Sequence, residues 1–432
     1  MADLLDLSAD IIDHHRLDVP VNRVTNELSE IGEGLAIVES FSHSVVLDTG
    51  DGLVAFDSSG GATGESVVAA IRGWRPDPVR HLVYTHGHAD HVGGSGYFAA
   101  AFGRPTVIGH RRVNDRLDRY TATGDWNRLI NARQFGGTRS DLGLSLGNSA
   151  ARDSNFSAFL PEGTLRPDTI VDDHSTVRLG AVDIELMHAR GETDDHLWAW
   201  LPERRTIMSG DFLIWNFPNA GNPQKVQRYP DEWAAALRRM IAFGPELLVP
   251  AHGLPISGRE RIERVLDDVA GALETLVASV VEMMNAGSTL DEIIHTAHLP
   301  EGTLALPYLR PFYDEPEFVV RNIWRLYGGW WDGAASRLKP SPDHELAATI
   351  TELAGGVGPL LERARVAVED GDLRLACHLV DIAAWAAGDD PGVHRERAAV
   401  YRTRRRAESS LMAKGIFAAA ARESEALLPP ED

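Results

Sequence analysis

The chain has 432 residues, 44% hydrophobic and 24% charged, which are ordinary globular proportions and enough for two or three domains with separate cores. Its 42 basic and 63 acidic residues give a net charge of −21, which repels phosphate backbones and anionic membrane surfaces and argues against a nucleic-acid partner. The single cysteine, Cys377, excludes an internal disulfide framework. The acidic start Met1-Ala2-Asp3-Leu4-Leu5-Asp6 lacks the basic and apolar regions of an export signal, and no apolar run is long enough to span a membrane, so a cytoplasmic protein with no membrane partner is expected.

The first thirty residues carry little pattern and are expected to wrap the domain that follows. Leu35–Val38, Ser44–Leu47 and Leu53–Phe56 read as strands, the last two joined by a hairpin at Asp48-Thr49-Gly50-Asp51-Gly52. A helix over Gly64–Trp74 leads to the strand His81-Leu82-Val83-Tyr84, and this strand delivers Thr85-His86-Gly87-His88-Ala89-Asp90-His91-Val92-Gly93-Gly94. Three imidazoles and a carboxylate in one glycine-bounded loop are the donors a metal site needs. His86 and His88, two apart, can converge on one ion if the backbone turns, and Asp90 and His91 can serve a second. A helix rich in small residues, a strand over Thr106–Gly109 and a helix from near Arg111 follow. Residues 120–166, rich in Gly, Ser and Asn, read as a long loop or insertion that covers a site.

Order returns with strands at Thr176–Leu179 and Val182–His188. The second opens onto His188-Ala189-Arg190-Gly191-Glu192-Thr193-Asp194-Asp195-His196, after which a strand runs through Trp200 and another over Thr206–Ser209 ends in Gly210-Asp211. A helix over Asp231–Phe243 precedes the strand that ends in Ala251-His252-Gly253. Alternating strands and helices give an α/β or mixed α+β class to this point. From Gly258 the pattern is helical: Arg259–Ala286, closed by Gly287, then Leu290–Ala297, a proline-rich connector to Pro316, Phe318–Tyr327, and helices around His344–Val368, Leu373–Ala387 and Val393–Ala420. The expected domains are residues 1–257, carrying the chemistry, and an all-α domain at 258–432.

Asp57, the His86–His91 cluster, Gly191-Glu192-Thr193, Gly210-Asp211 and Ala251-His252-Gly253, in that order and each at a strand end, resemble the five metal-site motifs of the metallo-β-lactamase superfamily. The resemblance implies a four-layer αββα sandwich with a binuclear metal site at one edge. Where most members have His at the third motif this chain has Glu192, and with an acid at the fourth it is similar to the alkylsulfatase branch. Leu326-Tyr327-Gly328-Gly329-Trp330-Trp331-Asp332-Gly333 also resembles the signature of that branch's dimerisation domain, which implies a homodimer through the C-terminal helices. Members typically add a sterol-carrier-like C-terminal domain that helps hold aliphatic substrates. With the sequence ending at Asp432 none is expected, which argues against long-chain alkyl sulfates.

Carried over by motif, one ion takes His86, His88 and Glu192, a second takes Asp90, His91 and His252, and Asp211 bridges them, with Asp57 orienting the His-rich loop. Three carboxylates, two divalent ions and a bridging hydroxide sum to neutrality, and Asp90 and Asp211 are the candidate catalytic residues. Thiolate-free, imidazole-rich ligation favours two zinc ions, with manganese or iron as alternatives that the extra carboxylate accommodates. The implied activity is hydrolysis of organic sulfate monoesters by metal-bound hydroxide. Arg228 is the first choice to grip the small-molecule anionic ester and Asn222 the second, since both lie in the donor-rich stretch after Asp211. Trp215, Phe217 and Tyr120 are candidate walls for its organic part, with plain core burial as the more ordinary role. A lactone, β-lactam, thioester or phosphodiester hydrolase of the same fold is the alternative, and a non-catalytic metal-stabilised scaffold a third reading.

Overall fold

Strands that are apolar on both faces need two partners, and this requirement builds the N-terminal half. The structure, a computed structural model, describes residues 3–135 and 159–429. In the first sheet β1 (Leu28–Gly32), β2 (Leu35–Val38), β3 (Ser44–Asp48), β4 (Leu53–Phe56), β5 (Val79–Val83), β6 (Thr106–His110) and β7 (Thr169–Val171) lie side by side in chain order. β1 to β4 pair antiparallel and β4 to β7 parallel. The second sheet contains β8 (His174–Leu179), β9 (Val182–His188), β10 (Leu197–Leu201), β11 (Thr206–Gly210), β12 (Leu247–Pro250) and β13 (Ile256–Ser257), again in order. Only β11 and β12 are parallel there, bridged by the helix Pro230–Phe243.

Period-two alternation divides the first sheet between two cores. Val45, Leu47, Val54 and Phe56 share a cluster with Ile184, Leu186 and Trp198 of the second sheet. Their neighbours Val46, Leu53 and Ala55 pack instead with Val67, Ile71, Phe98 and Leu117 of the helices outside. Trp233 and Leu237 of Pro230–Phe243, with Ile262, Leu266 and Leu273 of Arg259–Asn285, complete the first cluster. The class is the expected one, mixed sheets layered with helices and followed by a helical region.

Four expectations need correction. The first thirty residues hold regular structure: β1, and the helix Leu4–Asp13, whose Asp3 cap accepts the Leu5 amide at 2.8 Å and whose Ile11 and Ile12 are buried. Of the stretch 120–166 expected as a loop, residues 120–122 end the helix Arg112–Ala122 and 124–135 are the helix Gly124–Phe135; residues 136–158 lie outside the described residues. The helix expected around His344–Val368 is two, Asp343–Leu353 and Val357–Glu369, because Gly355 and Gly356 both take positive φ. That expected at Val393–Ala420 is Pro391–Ala407 and Leu411–Glu425, the second capped by Ser410 accepting the Ala413 amide.

The described chain forms two compact units, residues 3–129 with 159–329, and residues 130–135 with 330–429. In the second, Ala364, Ala376, Val380, Val400, Tyr401 and Ala421 form a small, alanine-rich core. Among the described residues no helix is long and apolar enough to cross a membrane.

Candidate metal centre

The turns after β5, β9, β11 and β12 bring seven donor side chains together, and the turn after β4 sets Asp57 behind them. Ligand atoms of His86, His88, Glu192 and Asp211 lie within 4.8 Å of one another, and those of Asp90, His91 and His252 form a second such group. Asp211 faces both: its Oδ2 is 3.8 Å from His86 Nε2 and 3.4 Å from His91 Nε2, and its Oδ1 is 3.6 Å from His252 Nε2. Asp90 Oδ2 is 3.6 Å from His91 Nε2 and 3.5 Å from His252 Nε2, and Glu192 Oε1 is 3.5 Å from His88 Nδ1. Two donors on a tetrahedral ion with bonds of about 2.1 Å sit about 3.4 Å apart, so most of these separations are those of atoms sharing an ion.

Two further observations fit a cation here. His91 Nε2 and Asp211 Oδ1 are buried with no hydrogen-bond partner, a costly arrangement unless something else binds them. Burial pushes His86 and His88 well below the ordinary histidine range, with neighbouring imidazoles and Arg116 adding to the effect, so both offer neutral lone pairs. His91 goes the other way. Against its burial, Asp211, Asp90 and Asp57 hold its ring well above that range, the mark of a cluster that draws positive charge.

Asp57 explains how the His-rich loop is aimed. Its backbone is left-handed, φ 58°, a conformation that costs a non-glycine residue energy. In return its carboxylate accepts the Thr85 amide and hydroxyl, both at 2.7 Å, and meets His91 Nδ1 at 2.8 Å, turning Nε2 toward Asp211. His43 holds the far side, donating Nε2–H to the Gly253 carbonyl at 2.7 Å beside His252. Burial, then the nearby His252, pushes His43 down to about 4, whereas the unfolded chain titrates near 6.5. Between those values only the unfolded chain takes up the proton. Stability is therefore complete above about pH 6.5 and is lost as pH falls toward 4, by about 2 kcal/mol at pH 5 from this residue. His86, His88 and His196 are also held low. Urea unfolding at pH 7 and pH 5 therefore isolates His43 by comparison with His43→Gln, which keeps a donor for Gly253 and is expected to lose about 2 kcal/mol less than wild type.

Residues 37–252 match the sequence profile of the Metallo-beta-lactamase superfamily, and residues 289–426 that described as Alkyl sulfatase dimerisation. The chain belongs to the metallo-beta-lactamase superfamily of hydrolases. Among similar proteins, a linear primary-alkylsulfatase of Pseudomonas sp. is 28% identical over 367 residues, covering 82% of this chain and 67% of that one. An alkyl/aryl-sulfatase of Saccharomyces cerevisiae is 23% identical over 375 residues, covering 84% of this chain and 56% of its own length. In fold the chain is similar to the stereoselective inverting sec-alkylsulfatase Pisa1 from Pseudomonas sp., with a TM-score of 0.79, 21% identity, and coverage of 94% of this chain and 67% of that one.

Within this superfamily site the stretch after β11 behaves differently from the simple expectation. Arg228 is 1% exposed, and its Nη1 lies 2.9 Å from Glu192 Oε1 while also donating to the Glu192 carbonyl. It thus addresses a candidate metal ligand. Asn322, on the helix Pro316–Gly328, clasps its backbone, accepting the Arg228 amide at 3.3 Å and donating to its carbonyl at 3.0 Å. Asn219 also donates to Glu192 Oε1. Burial pushes the Glu192 carboxyl up to about 8, against the pull of Arg228 and with Asp211 adding to the rise. Asn222 is buried, its Oδ1 accepting the Gln224 amide at 3.1 Å. Lys225, which the sequence did not single out, is pushed down to about 8 by burial and then Arg228, and it feels the charges of Asp90 and Glu192. Trp215 and Phe217 are fully buried, and Tyr120 packs edge-on to Phe159 with ring centroids 5.0 Å apart, so all three serve the core.

Proposed function

We propose that this chain hydrolyses organic sulfate monoesters at a centre of two divalent ions, one held by His86, His88 and Glu192, the other by Asp90, His91 and His252, with Asp211 between them. The observation that carries the reading is the donor set itself. Glu192 stands where a third histidine is usual, beside Asp211, in a chain whose residues 289–426 match the alkylsulfatase dimerisation profile. The activities for which the similar Pseudomonas and yeast proteins are named favour the same chemistry.

The ions, when bound, supply an activated water and positive charge against the negative charge that develops on the ester. The chain's own residues prepare for this. Neutral His86 and His88 present lone pairs, Asp57 fixes the His91 ring, and Arg228 keeps a cation beside buried Glu192. His88, Asp90 and His252 are only partly buried, which leaves the centre a face through which an ester can approach. Lys225 and Asn222, on the same stretch, are the donors proposed to receive the sulfate oxygens. An imidazole-rich set without thiolate suits zinc, with manganese and iron as alternatives. A reducing, cytoplasmic setting agrees with the lone Cys377.

Initial rates on a panel of short and medium alkyl sulfates, a lactone, a β-lactam, a thioester and a phosphodiester test the reading. Sulfate release is expected, lost to a chelator and restored by zinc. Rapid lactone turnover alongside inert sulfate esters would decide for a different hydrolase.

We also propose a homodimer formed through the helices after residue 329. Trp330 at 69% exposure and Leu353 at 84% leave large apolar side chains uncovered there in the single chain. Sedimentation is expected to give about twice the 47.2 kDa of one chain, and Trp330→Ser with Leu353→Ser to shift it toward the monomer.

A further inference from the structure

We propose that Asp195 and His196, anchored by Arg116, form a strut that sets the separation between the two halves of the centre, so that they are positioning residues for both ions. The proposal rests on the two-ion reading above.

Both side chains are 0% exposed and sit immediately before β10. Asp195 Oδ2 accepts the Gly87 amide at 3.0 Å, and Gly87 is the residue between His86 and His88. Arg116, itself 3% exposed, closes a bidentate pair on the same carboxylate, Nε to Oδ2 at 2.9 Å and Nη2 to Oδ1 at 3.0 Å. The fit is tight. A Cβ at position 87 would lie 2.8 Å from Asp195 Oδ2 and 3.0 Å from Arg116 Cδ, so the loop passes only because that residue is glycine. His196 works on the other sheet's side. Its Nε2 accepts the backbone amide of Asp211 at 3.2 Å, and its ring stacks on Phe212 with centroids 4.2 Å apart. One dipeptide thereby holds the loop after β5, which carries His86 and His88, and the turn after β11, which carries Asp211. The His86–Asp211 spacing of 3.8 Å follows from where those two backbone amides are pinned.

A buried ion pair could instead serve the fold alone, and paired substitutions separate the roles. Removing both charges together spares the fold an orphaned Arg116 or Asp195, and Asp194, which also meets Arg116 Nη2 at 2.6 Å, keeps Arg112 at 3.0 Å. R116M/D195L removes the acceptor for Gly87, and R116M/D195N keeps one. Circular dichroism of the metal-free chains is expected to show both folded. Zinc affinity, measured by competition with a chromophoric chelator, is expected to fall about 10- to 100-fold in R116M/D195L, the range for losing a group that orients a ligand, and to stay near wild type in R116M/D195N. His196→Phe keeps the stack but not the acceptor and is expected to lose about tenfold. The visible spectrum of the cobalt-loaded chain should change in R116M/D195L and His196→Phe and return in R116M/D195N. Wild-type affinity in both R116M/D195L and His196→Phe, or equal losses in the two double variants, overturns the strut. Fewer than two zinc ions on the wild-type chain would instead overturn the two-ion reading beneath it.

Discussion

Replacing Asp211 with alanine is expected to leave the chain holding a single ion and to lower sulfate release by well over 100-fold, beyond the loss that follows when only a ligand's outer partner is removed. The reason is its place. Its Oδ2 faces His86 and His91 while its Oδ1 faces His252, so it is the side chain with an oxygen turned toward each donor group. Against burial, His91 and His252 hold its carboxyl well below the usual carboxylate range, so it is charged at every pH where the enzyme would work. Without it each of the two proposed ions would keep only three protein donors, and the acids near His91 drop from three to two. Asp211→Asn preserves shape and removes the charge, and is expected to fall between alanine and wild type in zinc stoichiometry. Metal analysis of the dialysed chain beside initial rates provides the check. Two tightly bound ions and near-normal turnover in Asp211→Ala would sink the bridging role.

The His-rich loop was legible because its chemistry is local: four donors fall within six residues at a strand end before paired glycines, and the structure puts them there. Glu192, Asp211 and His252 were reachable only through resemblance to a family, since a lone acid or histidine after a strand has many ordinary uses. Asp195 and His196 carry no signal in the sequence beyond standing close to Glu192. Their partners are backbone amides of Gly87 and Asp211, and no periodicity or spacing encodes a bond to a distant amide. Arg228 was singled out for its fork of donors, but the choice between an external anion and Glu192 depends on burial that only tertiary packing creates. The helix Gly124–Phe135 was missed for a related reason. Its Trp126, Leu129 and Ile130 open with helical spacing, but Arg133 and Gln134 occupy the next positions of that stripe and Phe135 falls off it. The strands fared better, because alternation on two buried faces is written directly in runs such as Val45-Val46-Leu47.

Arg228→Met is expected to be the most damaging change outside the donor set. It leaves Glu192 buried without its cation, and breaking one side of a buried pair costs about 3–5 kcal/mol. Glu192 is already pushed up to about 8 by burial. With the guanidinium gone it moves further in that direction, so an ion has to displace a more tightly held proton to bind it. Zinc affinity at the His86/His88 group and chain stability should therefore fall together. Arg228→Met with Glu192→Gln separates them: removing both charges is expected to restore much of the stability and none of the metal binding. Arg228→Lys tests geometry, since one ammonium lacks the planar fork that reaches both the carboxylate and the carbonyl of Glu192, and an intermediate loss is expected. The kinetic split then decides what Arg228 touches. With zinc saturating, a residue that acts through Glu192 lowers kcat and leaves KM nearly unchanged. One that grips the ester raises KM in proportion to the lost contact, by about tenfold for each 1.4 kcal/mol. Because Arg228 is 1% exposed and clasped from behind by Asn322, the first pattern is expected. A tenfold rise in KM at unchanged zinc content would return Arg228 to the substrate and leave Asn219 as the partner that holds Glu192.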